Sequence, residues 1–257
     1  MSVERKGAEL AVACWAAWAP GLPDRTSWHA WAEGRTDISG PVEPDVSFVK
    51  PLLRRRLSPL DRMAFHVASA CLTGESAPFC VFCSRYGEYA RAFEILHALE
   101  AGDAVSPNAF SLSVHNTVSS LFSIARGDRT HSTAIAAGGA TLEAGFLEAR
   151  GLLAEAPEGS ALLVYYDEPL PSLYADKADP IEVSAALALL LRLPERAAAG
   201  DIMLGLSWQS SEREQSNPAA AVHPALRLSK LLMGVETRDD IDDGRLAWTW
   251  SRHAAAA

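Results

Sequence analysis

The chain has 257 residues, 49% of them hydrophobic and 21% charged, and a formal net charge of −9. This supports one sizeable core, or at most two small ones, and argues against disorder except at the ends. The acidic balance makes nucleic acid and anionic membrane surfaces poor candidates for the principal partner.

The start, MSVERKGAEL, has charges but no apolar core with a small-residue cleavage site, so no signal peptide is expected. No apolar run approaches the length of a membrane span, and the default expectation is a cytoplasmic location. Leu10 to Ala19 reads as a buried first strand closed by Pro20, Gly21 and Pro23. Trp28 and Trp31 fall in the loop that follows. The basic run Lys50 to Arg56 reads as a solvated loop entering a helix, with contact to an acidic partner as the alternative. Ser58-Pro59 opens that helix, Ser58 as N-cap and Pro59 in the first turn, and Leu60, Met63, Ala64, Val67, Ala68 and Cys71 recur at helical spacing up to Gly74.

A strand is expected at Pro78 to Cys83. A helix with Phe93, Leu96 and Leu99 on one face follows, stopping near Gly102. After Ser106-Pro107 the pattern predicts a helix from about Ser113 to Ala125, a turn at Gly127-Asp128, a short strand at Ser132 to Ala136 and a tight turn at Gly138-Gly139. The next helix has Leu142, Phe146, Ala149 and Leu153 on one face. Further strands are expected at Ala161 to Tyr166, Val183 to Leu191 and Ile202 to Trp208. A last helix, Ala219 to Leu232, is closed by Gly234, and a closing strand runs around Leu246 to Trp250. Asp176 to Pro180 and Gln215 to Pro218 read as loops, and Ala254 to Ala257 as an unpacked tail. Alternating strands and helices indicate an α/β fold, a sheet covered on both faces.

Cys80 and Cys83 make a CxxC. On a strand, residues three apart face opposite sides, and no second cysteine pair or nearby histidine completes a zinc site. Buried structural thiols are the expectation, with no metal and no cofactor. There is no GxGxxG, Walker motif, HExxH or GxSxG. Asp167-Glu168 reads as an exposed strand end before Pro169-Leu170-Pro171, with a functional carboxylate pair as the alternative.

The stretch Ser106 to Leu153 resembles the middle of the N-terminal half of a β-ketoacyl synthase in the thiolase-like superfamily. The matching residues are Ser106-Pro107, Asn116, Ser123-Ile124, Gly127 and Ser132 to Ala136. With the flanking units the resemblance covers roughly residues 8 to 193. It implies one ketosynthase-like domain over 1–257 with a thiolase-like layered fold: an N-terminal half at 1–193, a reduced C-terminal part at 194–250 and a tail at 251–257. The phrases SLSVHN, SIARGDR and YYDEPLP look closest to a short chain-length-factor-like group found with aryl polyene and related pigment-lipid pathways.

A ketosynthase needs a thiolate at the strand-to-helix turn, where the helix N-terminus lowers its pKa and binds the oxyanion. The resemblance places that position at Gly139, which has no side chain and can form no thioester. Thr141 is the nearest hydroxyl. Only His223 and His253 lie in the last third, one reading as a helix terminus and the other as tail, so the family's histidine pair is absent as well.

The resemblance further implies that Ser132, Thr133, Ala134, Ile135 and Ala136 form the strand pairing with a partner. The preceding helix then carries Val114, Thr117 and Leu121 on one face, either as a wall of the partner's acyl tunnel or as core. His115, next to Asn116 on this interface segment, reads as a hydrogen-bonded interface residue, with a ligand or base as the alternative. The implied partners are a catalytic ketosynthase subunit, in a heterodimer, and an acyl carrier protein. Three readings stay open: a non-catalytic chain-length-factor-like subunit, a stand-alone acyltransferase or hydrolase using Thr141 or another hydroxyl, and an acyl-binding scaffold.

Overall fold

The computed structural model describes residues 6–40, 43–72, 78–174, 183–211 and 222–254. The expected helix end at Gly74, the loops at 176–180 and 215–218, and Ala255 to Ala257 lie outside them. The chain runs β1 (Lys6–Trp18), α1 (Arg25–Ala32), α2 (Pro51–Arg54), α3 (Pro59–Cys71), β2 (Phe79–Cys83), α4 (Tyr89–Glu100), α5 (Pro107–Ser111), α6 (Thr117–Arg126), β3 (Ser132–Ile135) and α7 (Thr141–Glu155). It continues with β4 (Ala161–Asp167), β5 (Ala185–Arg192), β6 (Ile202–Ser210), α8 (Pro224–Met233), β7 (Arg238–Asp242) and β8 (Leu246–Ala254).

The strands form one sheet in the order β3-β2-β4-β5-β1-β6-β8-β7. β2, β3 and β4 are mutually parallel, and every other pairing is antiparallel. Both faces of the central strands are buried, which is why β4 and β5 read as continuous apolar runs. Ala161, Leu163 and Tyr165 face one core with α7 and α8, and Leu162, Val164 and Tyr166 face the other with α3 and α6.

β1 serves both cores through a β-bulge. Its register shifts between Val12 and Cys14, so Leu10 and Val12 point to the α7/α8 side, whereas Cys14, Ala16 and Trp18 point to the α3 side. On α3, Ser58 and Asp61 form a capping box with Pro59 in the first turn, as the sequence predicts. Leu142, Phe146, Ala149 and Leu153 of α7 are all buried. Gly145, on the same helix, is required by close approach, because a Cβ there would run into Cys83 Sγ and stand 2.9 Å from Leu163 Cδ1.

The structure corrects several expectations. Trp28 and Trp31 lie on a helix, α1, begun by a reciprocal cap between Asp24 and Ser27. The basic run contains a short helix of its own, α2, followed by the exposed Arg55 and Arg56. The helix expected from Ser113 to Ala125 is two helices, α5 and α6, with Val114, His115 and Asn116 in the turn between them. β3 ends at Ile135, so Ala136 lies just past the strand. The helix expected from Ala219 is described only from Pro224. His253 and Ala254 belong to β8, which pairs along β6 as far as Ile202 opposite Ala254. His253 also bonds Glu9. Among the described residues no helix is long and apolar enough to cross a membrane.

Candidate functional site

Because β2, β3 and β4 are parallel, their C-terminal ends meet at one edge of the sheet, where open α/β folds place ligands. Three turns converge there, beginning after Cys83, Ile135 and Asp167.

The turn after β2 is held by Asp167. Its carboxylate accepts from Ser84 Oγ (2.7 Å), from the Arg85 backbone N–H (3.0 and 3.1 Å to its two oxygens) and from Tyr165 Oη (2.6 Å). Asp167 and Ser84 are almost completely buried. Burial pushes the Asp167 carboxyl up, and the three donors and the Arg85 charge oppose it. Ser84 Oγ also accepts from Gly87 N (2.7 Å), and the Ser84 carbonyl meets His115 Nε2 at 2.9 Å. Gly87 adopts φ +58°, and a Cβ there would stand 2.9 Å from the His115 ring, so glycine lets the histidine close over this turn.

His223, the N-cap of α8, completes the cluster. Its Nδ1 accepts from Ala225 N (3.2 Å), and its Nε2 lies 3.4 Å from the Asp167 carbonyl oxygen. Burial pulls its pKa down to about 3, so the ring is neutral at pH 7. Asp167 is thus an anchor inside the fold, and the exposed strand end expected from the following prolines is wrong.

The same turn is tied to α3. Arg91 bonds Asp61 (3.0 Å) and Glu88 (2.6 Å), and Ser58 Oγ donates to Glu88 Oε1 (2.8 Å). Burial, followed by the Asp61 charge, pushes Glu88 up to about 8. One guanidinium serves two buried carboxyls, and burial raises the pKa of both, which disfavours charging the two together. A cleft of about 650 Å³ opens beside them, lined among others by Arg55, Arg91, Glu88, Ile95 and Leu112.

The turn after β3 is bare by comparison. Thr141 Oγ1 accepts from Ala137 N (2.9 Å) and donates to the Gly138 carbonyl (2.7 Å), and the residue is buried. Both functions of the hydroxyl are committed to shaping the turn, and among the described residues no base is hydrogen-bonded to it, so it is not placed as a nucleophile. Gly139 follows Gly138 at the start of α7. Among the described residues, a Cβ built on it would meet only Arg85 Nη2 and Asp243 Cβ, each at 3.9 Å. Packing therefore does not demand a glycine at this position. Asp243 sits in the β7–β8 turn, accepting from Arg245 N, Leu246 N and Trp248 Nε1. Cys83, the nearest thiol along β2, packs under α7 at Gly145, and burial pushes it well above the usual thiol range. Among the described residues no three metal-ligating side chains cluster.

Of the residues singled out in the sequence, the structure joins His115 to the β2 turn and separates the others. Thr117 and Leu121 are buried in their own subunit, whereas Val114 is 44% exposed, so the three do not share a helix face. Asn116 is exposed at the N-terminal end of α6. Ser132, Thr133, Ala134 and Ile135 form the edge strand and, among the described residues, pair only with β2. The sequence reading missed Ser84, Arg85, Tyr165 and Asp243. Tyr165 and Asp167, two apart on one strand, offered a signal of a shared face.

The family model for the β-ketoacyl synthase N-terminal domain matches residues 28–251. The chain belongs to that family. No curated protein sequence matches it. Among solved structures, a chain of the complex of ketosynthase ApeO with its chain length factor ApeC from Xenorhabdus doucetiae is similar at 27% identity and a TM-score of 0.79. The match covers 95% of this chain and 100% of that one. The ishigamide ketosynthase/chain length factor matches at 13% identity and a TM-score of 0.66, over 90% of this chain and 75% of that one. The ketosynthase from module 1 of the bacillaene synthase of Bacillus amyloliquefaciens FZB42 matches at 19% and 0.56, over 80% and 47%. The last two show a shared ketosynthase fold. The first extends the likeness over the full length of a chain from a ketosynthase–chain length factor pair.

Proposed function

We propose that the chain is a non-catalytic, chain-length-factor-like subunit of a heterodimeric β-ketoacyl synthase acting in polyketide, aryl polyene or fatty-acid-like biosynthesis. The observation that carries this reading is the turn between the edge strand β3 and α7. It has a bare Gly139 where the family resemblance expects the nucleophile, and the neighbouring Thr141 hydroxyl is committed on both sides. The framework around it is intact, so the fold is kept while the reacting group is gone.

The partner is a catalytic ketosynthase that pairs with β3 from Ser132 to Ile135, an edge that otherwise exposes unpaired backbone groups. Exposed Phe110, Val114 and Ile124 lie on the segments that precede this strand and extend the same interface. Within it, Val114 is the residue proposed to reach the partner's acyl tunnel, and Thr117 and Leu121 support it from behind. An acyl carrier protein, acidic on its docking face, would meet Arg55 and Arg56. Residues 194–250 are read as the remnant of a second ketosynthase half, and the complex as cytoplasmic, needing no cofactor from this chain.

The test is co-expression with candidate ketosynthases and purification through a tag on this chain. A stable one-to-one complex that elongates carrier-bound acyl groups supports the proposal, whereas a homodimer or monomer that captures no synthase overturns it. Within such a complex Val114→Phe is expected to shorten the products. An unchanged product profile from an intact complex removes the tunnel-wall role.

A further inference from the structure

The bulge in β1 has a chemical consequence away from the site. By turning Cys14 onto the side of Ala16 and Trp18, it brings a half-exposed thiol under α3. On α3, Ala64, Ala68 and Cys71 are buried against the sheet. Small side chains on both surfaces, with Ala16, Ala186 and Ala188 below, let α3 approach β1 within 8 Å, Cα to Cα.

Cys71 Sγ lies 3.6 Å from the Ala188 carbonyl oxygen. Ala188 is the register partner of Ala16, and Leu190, two residues on, is the partner of Cys14. Cys71 therefore stands over the ladder one side-chain step from Cys14, close enough that each thiol shifts the ionisation of the other.

We propose that Cys14 and Cys71 are a modification site, forming a reversible intrachain disulfide that fastens β1 to the end of α3. Cys14 is the attacking sulfur. It is the more exposed of the two, and the adjoining Cys71 thiol holds its pKa below the ordinary thiol value, which favours the thiolate. The Cys14 thiolate attacks a low-molecular-weight disulfide such as oxidised glutathione, breaking its S–S bond and releasing one thiolate. Cys71 then gives up its proton, attacks Cys14 Sγ and releases the second thiolate. The two protein thiols lose two electrons and two protons in all, and the small disulfide is reduced to two thiols.

The test equilibrates the reduced full chain in glutathione buffers of rising oxidised fraction, quenches with acid and maps peptides without reduction. The expected result is a peptide containing Cys14 linked to one containing Cys71 and an intact mass lower by two hydrogen atoms, with reversal by dithiothreitol. Cys80 and Cys83 should remain alkylatable after denaturation. Cys14→Ser should abolish the linked peptide and Cys80→Ser should leave it, but the unmutated chain alone decides the matter. Glutathione retained on Cys14 with Cys71 still free, or two free thiols across the whole range, would overturn the proposal.

Discussion

The turns after β2 and after β3 stand side by side at the same end of the sheet and are built to different standards. The first is over-determined: Asp167, Tyr165, Ser84, Gly87 and His115 lock it through buried hydrogen bonds, and Arg91 ties it on to α3. The second depends on the hydroxyl of Thr141 and carries a glycine where packing leaves room for a side chain. The strand ends are held by a dense set of contacts in the first turn, whereas the second has no side chain at Gly139, the position where the family resemblance expects the reacting group.

Mutations should expose this contrast, with the largest effect at the framework. Asp167→Ala leaves Ser84, the Arg85 N–H and Tyr165 without their shared acceptor, and a loss of about 3–5 kcal/mol in denaturant unfolding is expected. His223 gives the framework a pH signature. Its folded-state pKa of about 3 lies below the ordinary value of 6.5, so the unfolded chain binds the extra proton first. Its contribution is complete above about pH 6.5 and is lost as pH falls toward 3, on the order of 4 kcal/mol over that interval. His223→Asn keeps an N-cap acceptor and should flatten this acid slope in melts recorded from pH 7 to 4.

Gly145→Ala drives a methyl into Cys83 and should cost about 1–3 kcal/mol, with much of the loss recovered in the Gly145→Ala, Cys83→Ala double variant. In the second turn, Thr141→Val removes two hydrogen bonds and should cost about 1–2 kcal/mol. Gly139→Ala should shift stability by no more than about 0.5 kcal/mol. An Asp167→Ala variant as stable as Gly139→Ala would break the comparison.

The parts of the molecule legible in the sequence were those governed by local rules. β4 and β5 showed as apolar runs because both faces are buried, α3 announced itself by Ser58-Pro59, and α7 by its spaced apolar face. α1 was hidden because the helix that Asp24 caps is only eight residues long, with Trp28 as its buried residue. The break between α5 and α6 depends on His115 reaching Ser84, 31 positions earlier. The burial of Asp167 likewise depends on a serine 83 positions away. Such pairings are made by the topology and leave no mark in the neighbouring sequence. The Gly139 expectation needed no such pairing, because a glycine, unlike a buried hydrogen bond, is visible as a letter.

The most direct measurement of the central claim is the intact mass of each subunit after the purified complex is given acyl-loaded carrier protein. The account predicts an acyl adduct on the partner ketosynthase and an unmodified mass for this chain, with the partner's adduct blocked by a thiol-reactive ketosynthase inhibitor that leaves this chain unlabelled. An acyl adduct on this chain would contradict it and assign it a nucleophile of its own.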